Sequence, residues 1–310
     1  MGLDQKLLET GLPLAPFLPE IREKLFLSGA AVIRSDPGSG KSTLLPLALM
    51  EKSERKIILL EPRRAAALGI ASRMADLLGE KVGERVGYAV RLERKISERT
   101  RVEVLTEGLF IRRIQADPSL PGIGTVIFDE FHERSAMEDL ALAFLLDLRR
   151  MGSQVNILIM SATMDAGAIA AFVNHVEGRA KGKEVPVFDI PGRVFPVETS
   201  YRPLAGKAPL GVETGTALIK ILREGEAESV QTNKVRYTPE ISGAQDTLVF
   251  LPGRREIDDA EKTLRAWEGD GCFEIFPLHG SLPLSRQKEI IAPNREGRGG
   301  RPNKIGRAHV

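Results

Sequence analysis

The chain has 310 residues, 42% of them hydrophobic and 28% charged, with a formal net charge of +2. That length accommodates two domains of ordinary size, the composition is that of a soluble globular protein, and no apolar run is long enough to cross a bilayer. A charge so near zero excludes nucleic-acid binding through the whole-chain field and requires a local basic surface instead. Cys272, the only cysteine, excludes an internal disulfide partner and a cysteine metal centre, and suits a reducing cytoplasm. The Pro-rich start of the chain is not signal-like.

The first two hundred residues alternate apolar runs with helical patterns. Residues 30–33 (Ala-Ala-Val-Ile) predict a strand, and leucines and alanines at helical spacing follow over 41–50. Residues 56–60 predict a second strand and 64–78 an Ala-rich helix. Strands at 102–105 and 125–128, a helix over 137–148 and a strand at 155–160 complete the pattern. Strands this apolar, separated by helices, imply an α/β domain whose parallel sheet is covered on both faces. Residues 178–183 form a charged turn, and 186–201 read as two short strands leading out of the domain. A second αβ pattern begins near Val212, with a helix over 217–222, a strand at 247–251, a helix over 255–267 and a strand within 273–278. Residues 226–245 are polar and aperiodic, a surface insertion.

Two segments carry chemistry. In Ser35-Asp36-Pro37-Gly38-Ser39-Gly40-Lys41-Ser42-Thr43 the glycines let backbone N–H groups ring a phosphate at a helix N-terminus. Lys41 then reaches the β and γ oxygens, and the Ser42 hydroxyl can ligate Mg²⁺. The competing reading is a plain strand-to-helix turn. In Val126-Ile127-Phe128-Asp129-Glu130-Phe131-His132-Glu133 an apolar run ends in adjacent acids. Asp129 suits Mg²⁺ and Glu130 an attacking water, provided both stand at the carboxyl edge of the sheet; otherwise they are solvated acids before a helix. On chemistry alone, His132 is as well a hydrogen-bonded structural residue, Ser161 and Thr163 are helix caps, and Arg63 and Arg64 are a solvated loop. Arg112-Arg113 and Arg149-Arg150 read as solvated helix ends suited to the helix dipole.

As an ordered set these segments resemble the superfamily 2 helicases, and within them the DEAH-box branch. Asp129-Glu130-Phe131-His132 departs from that branch by Phe for Ala, as in the bacterial HrpB-type group. Glu61-Pro62-Arg63-Arg64 resembles its motif Ia, Thr106-Glu107-Gly108 its motif Ib and Ser161-Ala162-Thr163 its motif III. Residues 248–253 (Leu-Val-Phe-Leu-Pro-Gly) resemble the opening of a second RecA-like domain.

The resemblance implies a RecA-like ATP-binding domain over 1–195 and a partial second RecA-like domain over 196–310. It implies ATP held by Pro37, Gly38, Ser39, Gly40, Lys41, Ser42 and Thr43, with Mg²⁺ on Ser42 and Asp129. Lys41, Glu130 and His132 would be catalytic, while Ser161 and Thr163 would couple hydrolysis to strand separation. Arg63, Arg64, Thr106 and Gly108 would line a track for single-stranded RNA or DNA, touching phosphates and sugars without reading sequence.

The family's motifs V and VI, the latter carrying the arginine fingers, are not present in these 310 residues, so turnover by this polypeptide is expected to be slow. Residues 304–310 (Lys-Ile-Gly-Arg-Ala-His-Val) resemble a translated sequencing adapter, which reads as a truncated chain rather than a basic tail. The alternative to an enzyme is a non-enzymatic module that binds nucleic acid or a partner under the control of ATP.

Overall fold

In the computed structural model, which describes residues 2–162, 165–192, 199, 201–228, 247–267, 274–291 and 304–305, the chain divides into two units, Met1–Pro196 and Val197–Val310. The first opens with α1 (Leu3–Leu8), a 3₁₀ turn at Ala15–Phe17 and α2 (Leu18–Ser28), which starts with Pro in its first turn. Pro there has no helical hydrogen bond to lose and its φ is already helical. Then follow β1 (Ala30–Ser35), α3 (Lys41–Lys52), β2 (Lys56–Leu60), α4 (Arg64–Leu78), β3 (Val86–Val90), β4 (Glu93–Lys95), β5 (Val102–Leu105), α5 (Glu107–Ala116) and β6 (Ile123–Phe128). A 3₁₀ turn at Phe131–Glu133 leads to α6 (Ala136–Arg150), β7 (Asn156–Ser161), α7 (Ala166–Glu177) and β8 (Val187–Ile190).

These strands form one eight-stranded sheet in the order β4-β3-β5-β2-β6-β7-β1-β8, parallel except for the β3–β4 pair. Val32, Ile58, Val126 and Ile157 belong to one buried cluster with Phe110 of α5, Leu145 of α6 and Val173 of α7. Both faces of such strands meet helices, which is why the strands read as continuous apolar runs.

Register matters for function. Leu60 pairs with Phe128, Phe128 with Ile159, and Arg34 with Ser161, so β1, β2, β6 and β7 end at the same edge. Whatever follows Ser35, Leu60, Phe128 and Ser161 is delivered to one place.

The sheet exceeds the sequence expectation by β3 and β4. Of the two strands expected over 186–201, β8 is described; residues 193–198 lie outside the described residues. Among the described residues no helix is long and apolar enough to cross a membrane.

The second unit contains α8 (Leu210–Glu228), α9 (Arg254–Ala266), β9 (Glu274–Ile275), α10 (Leu284–Ile291) and β10 (Lys304–Ile305), the last pairing in parallel with β9. Its core joins Leu251 to Ile257 and Ala260 of α9, with Val249 packed alongside. The helix expected over 217–222 is the middle of α8. The strand expected at 247–251 is not formed: Thr247 makes an isolated bridge and residues 248–250 are unpaired. An apolar run becomes a strand only where a neighbour supplies the ladder, and β9–β10 is the only other pairing among the described residues of this unit. Residues 229–245 of the expected insertion, Cys272 and the Gly-Arg-rich residues 297–301 lie outside the described residues.

Candidate nucleotide and nucleic-acid site

The loop after β1 turns through Gly38 (φ 79°) and Gly40 (φ 97°), backbone conformations that an L side chain adopts at a cost. A Cβ on Gly40 would also lie 3.0 Å from Leu12 Cδ1 and 3.1 Å from Leu44 Cγ. Ser35 Oγ and Ser39 Oγ are buried 2.9 Å apart, and Leu14 N donates to Ser39 O at 3.1 Å. Thus the segment before α2, for which the sequence predicted no contact, backs the loop. No side chain caps α3 at Gly40, and while Thr43 N and Leu44 N donate to Gly40 O, the amides of Lys41 and Ser42 at the helix start are placed to meet an anion. Lys41 is buried and its Nζ makes no hydrogen bond.

The acidic pair stands beside this loop. Asp129 N donates to Leu60 O at 3.0 Å, which carries the β2–β6 register one residue beyond β6. Asp129 is fully buried, so the reading of solvated acids does not hold for it. Its Oδ1 accepts from Glu130 N at 3.0 Å, whereas Oδ2 has no hydrogen-bond partner. Burial raises the Asp129 carboxyl to about 6, while the Ser42 hydroxyl beside it pulls the other way. Glu61, at the end of β2, is pushed to about 8, first by burial and then by the Asp129 charge.

Glu130 (φ 54°) and Arg134 (φ 52°), both left-handed, bracket the 3₁₀ turn Phe131–Glu133. Phe131 holds that turn down: its ring is buried and meets Phe128 edge-on, centroids 5.8 Å apart. Glu130 Oε1 lies 3.3 Å from Lys41 Nζ, and Oε2 lies 3.4 Å from His132 Nδ1. That same Nδ1 is 3.5 Å from the Ala162 amide, which donates to it. The two contacts require opposite protonation of one nitrogen, so they are alternatives. His132, itself part of the acid turn, can therefore hold either Glu130 or the end of β7, where Ser161 is buried; Thr163 lies outside the described residues.

Lys41 Nζ and Asp129 Oδ2 are the mark of the site. A buried charge or polar atom without a hydrogen bond is costly unless a ligand completes it. Phosphate oxygens would complete the first. A divalent cation would suit the second, since carboxylate and hydroxyl are hard oxygen donors. No group of three or more His, Cys, Asp or Glu stands ready to hold a metal among the described residues. Ser42 and Asp129 therefore fit a cation that takes its other ligands from the polyphosphate and water.

The residues expected on a nucleic-acid track divide. Thr106 is the N-cap of α5 with no side-chain cap bond. Thr106 and Gly108 line a recess of about 590 Å³ together with Val90, Arg91, Leu92, Leu109 and Arg112. Arg64 Nη2 donates to Arg91 O at 2.8 Å, tying α4 to the β3–β4 turn. Arg63 instead forms an ion pair with Glu133 of the acid turn. Sequence reasoning missed Arg91 and Leu92; the exposure of Leu92 (94%) and its positive φ of 69° mark them in the fold.

Two arginines read as solvated helix ends are structural braces. Arg113 makes a two-pronged bond to the buried carboxylate of Glu103 at 2.8 and 3.0 Å. Arg149 pairs with Glu177 and donates to Gly29 O and Val155 O, closing the lower edge of the sheet. Arg112 lines the recess.

Residues 20–171 match the DEAD/DEAH box helicase family. The chain is 39% identical over 291 residues to the ATP-dependent RNA helicase HrpB of Escherichia coli (strain K12), covering 93% of this chain and 32% of that protein. Among solved structures it resembles the E. coli DEAH/RHA helicase HrpB, with a TM-score of 0.78, 37% identity, and coverage of 96% of this chain and 34% of that one. A second structure, described as the E. coli DExH-box NTPase HrpB, gives a TM-score of 0.70 and 38% identity over 96% of this chain and 33% of the other. The chain spans about a third of the length of the relatives it matches. Its mostly parallel sheet is that of a RecA-like helicase domain, and residues 20–171 within the chain are what resembles the DEAD/DEAH box helicase family.

Proposed function

We propose that this chain carries the ATP-hydrolysing part of an HrpB-type helicase that acts on RNA. The observation that carries the reading is the convergence of Lys41 Nζ and Asp129 Oδ2, both buried without hydrogen bonds, at an uncapped helix N-terminus beside Glu130. In this reading the amides from Gly38 to Thr43 cradle the polyphosphate of ATP and Lys41 balances its charge. Mg²⁺, held through Ser42 and Asp129, would neutralise phosphate oxygens when bound. Glu130 orients the attacking water and takes its proton; its contact with Lys41 gives way to nucleotide. His132 exchanges Glu130 for the end of β7 as the partner of its Nδ1, and that exchange couples hydrolysis to Ser161 and Thr163. Thr106, Gly108, Arg91 and Arg112 at the recess hold phosphates and sugars of a single strand, with Arg64 fixing the turn that bears Arg91. The same reading takes 1–195 as the ATP-binding domain and 196–310 as part of a second RecA-like domain.

The test is hydrolysis with and without single-stranded RNA, in wild type and Glu130→Gln. Glu130→Gln should bind ATP as wild type does and lose turnover. An ATP-gated clamp with no catalytic role predicts instead that wild type shows no turnover above Glu130→Gln, with strand binding alike in both. That result would overturn the enzymatic reading.

A further inference from the structure

We propose that Arg63 is shared between a strand phosphate and Glu133, so that the Arg63–Glu133 ion pair is a latch through which the acid turn senses the strand. This rests on the strand-binding reading above and assigns Glu133 a positioning role that the reading does not contain.

The geometry is specific. Arg63 is the N-cap residue of α4, its backbone fixed by a bond from its N–H to Glu61 Oε1 at 3.0 Å. Its guanidinium is committed to Glu133, the last residue of the 3₁₀ turn. Glu133 N donates to Glu130 O at 2.9 Å, so the latch is one hydrogen-bonded turn away from the water-orienting acid. Glu130 and Arg134 on either side are left-handed non-glycine residues, a backbone that persists only while its surroundings hold it. Neither latch partner is sealed: the Arg63 side chain is 47% exposed and that of Glu133 32%.

A phosphate oxyanion can therefore reach Arg63, and the planar fork of a guanidinium matches phosphate as well as carboxylate. When phosphate takes Arg63, Glu133 is released and the turn loses one of its restraints. The strand thereby acts on the segment that carries Glu130 and His132 without touching it.

Competition has a signature that a merely structural ion pair lacks. A fluorescein-labelled oligouridylate is titrated by anisotropy into the chain, its variants being checked for folding by thermal melting. Arg63→Ala should weaken binding and lower the slope of log affinity against log salt by about 1. Glu133→Gln should tighten binding by about two- to five-fold, the range of an exposed ion pair. Glu133→Asp, which keeps the charge, should stay nearer to wild type. In the Arg63→Ala background the gain from Glu133→Gln should vanish. If Glu133→Gln does not fold, Glu133→Ser carries the same expectations. Amide exchange over 130–134 should rise when the oligonucleotide binds wild type and be already raised in free Glu133→Gln.

A gain that survives in the Arg63→Ala background would be generic loss of negative charge, and it would overturn the latch while leaving strand binding intact. An unchanged affinity in Glu133→Gln, or unchanged exchange on strand binding, overturns it in the same way. If wild type binds no oligonucleotide, the functional reading fails and the latch with it.

Discussion

Glu138 offers a test of the electrostatics beneath the acid turn. It sits in the first turn of α6, only 1% exposed, and neither carboxylate oxygen has a hydrogen-bond partner. Glu107, whose Oε2 accepts from Ser135 Oγ, is the acid that acts on it most strongly. Burial first, then the charges of Glu107 and Asp139, push Glu138 from 4.5 to about 8. Because the folded value is raised, the stability tied to this proton is fully present below pH 4.5 and is lost as pH rises towards about 8. The whole rise, at roughly 1.4 kcal/mol per unit, amounts to about 5 kcal/mol, of which about 3 kcal/mol is already lost at pH 7. Glu138→Gln keeps the shape and removes the titration. Urea unfolding of both proteins at pH 4.5, 7 and 9 should give similar stabilities at the lowest pH. The variant should then gain about 3 kcal/mol on wild type at neutrality and more at pH 9. A stability difference that stays flat with pH would refute the claim that folding buries this acid as a neutral carboxyl.

Phe131→Ala removes a buried ring from between the acid turn and Phe128, and should cost about 3–5 kcal/mol in urea unfolding. A loss under about 1 kcal/mol would mean that the ring does not anchor the turn. Arg149→Ala leaves Glu177 with Arg179 as its remaining arginine partner and removes a donor from two backbone carbonyls, at a side chain only 14% exposed, and should cost about 1–3 kcal/mol. A solvated helix end at that position would show a loss near zero, so the same melt decides between the two accounts. Gly40→Ala should weaken ATP binding more than it lowers the melting temperature, since the φ of 97° and the contact with Leu12 distort the loop itself. Equal binding by both proteins, measured calorimetrically, would contradict that.

Much of the site is legible before any coordinates, because its residues are consecutive. Gly38, Gly40 and Lys41 share one loop and Asp129 and Glu130 one strand end, and parallel strands of equal register bring the two together. What escapes the sequence is contact at a distance. Nothing in Arg113 or Arg149 announces Glu103 or Glu177, since a cation in the last turn of a helix is the ordinary solvated choice. Glu138 is equally unremarked, as an acid in a first turn suits the helix dipole whether it is wet or buried. The β3–β4 hairpin escapes the sequence because Gly87 and Ala89 interrupt the apolar run of β3, while β4 (Glu93–Lys95) is charged and lacks any apolar alternation. Conversely, residues 247–251 look like a strand by composition, yet pairing depends on a neighbour that composition does not display.

On the proposed reading, Lys41 Nζ and Asp129 Oδ2 are completed only when a nucleotide and its cation arrive. Calorimetric titration of ATP with Mg²⁺ into wild type, Lys41→Ala and Asp129→Asn tests it most directly. Wild type should bind, Lys41→Ala should bind at least about tenfold more weakly, a loss of roughly 1.4 kcal/mol or more, and Asp129→Asn should lose the dependence on Mg²⁺. Binding of equal strength in all three, with or without Mg²⁺, would show that neither group meets the nucleotide or its cation.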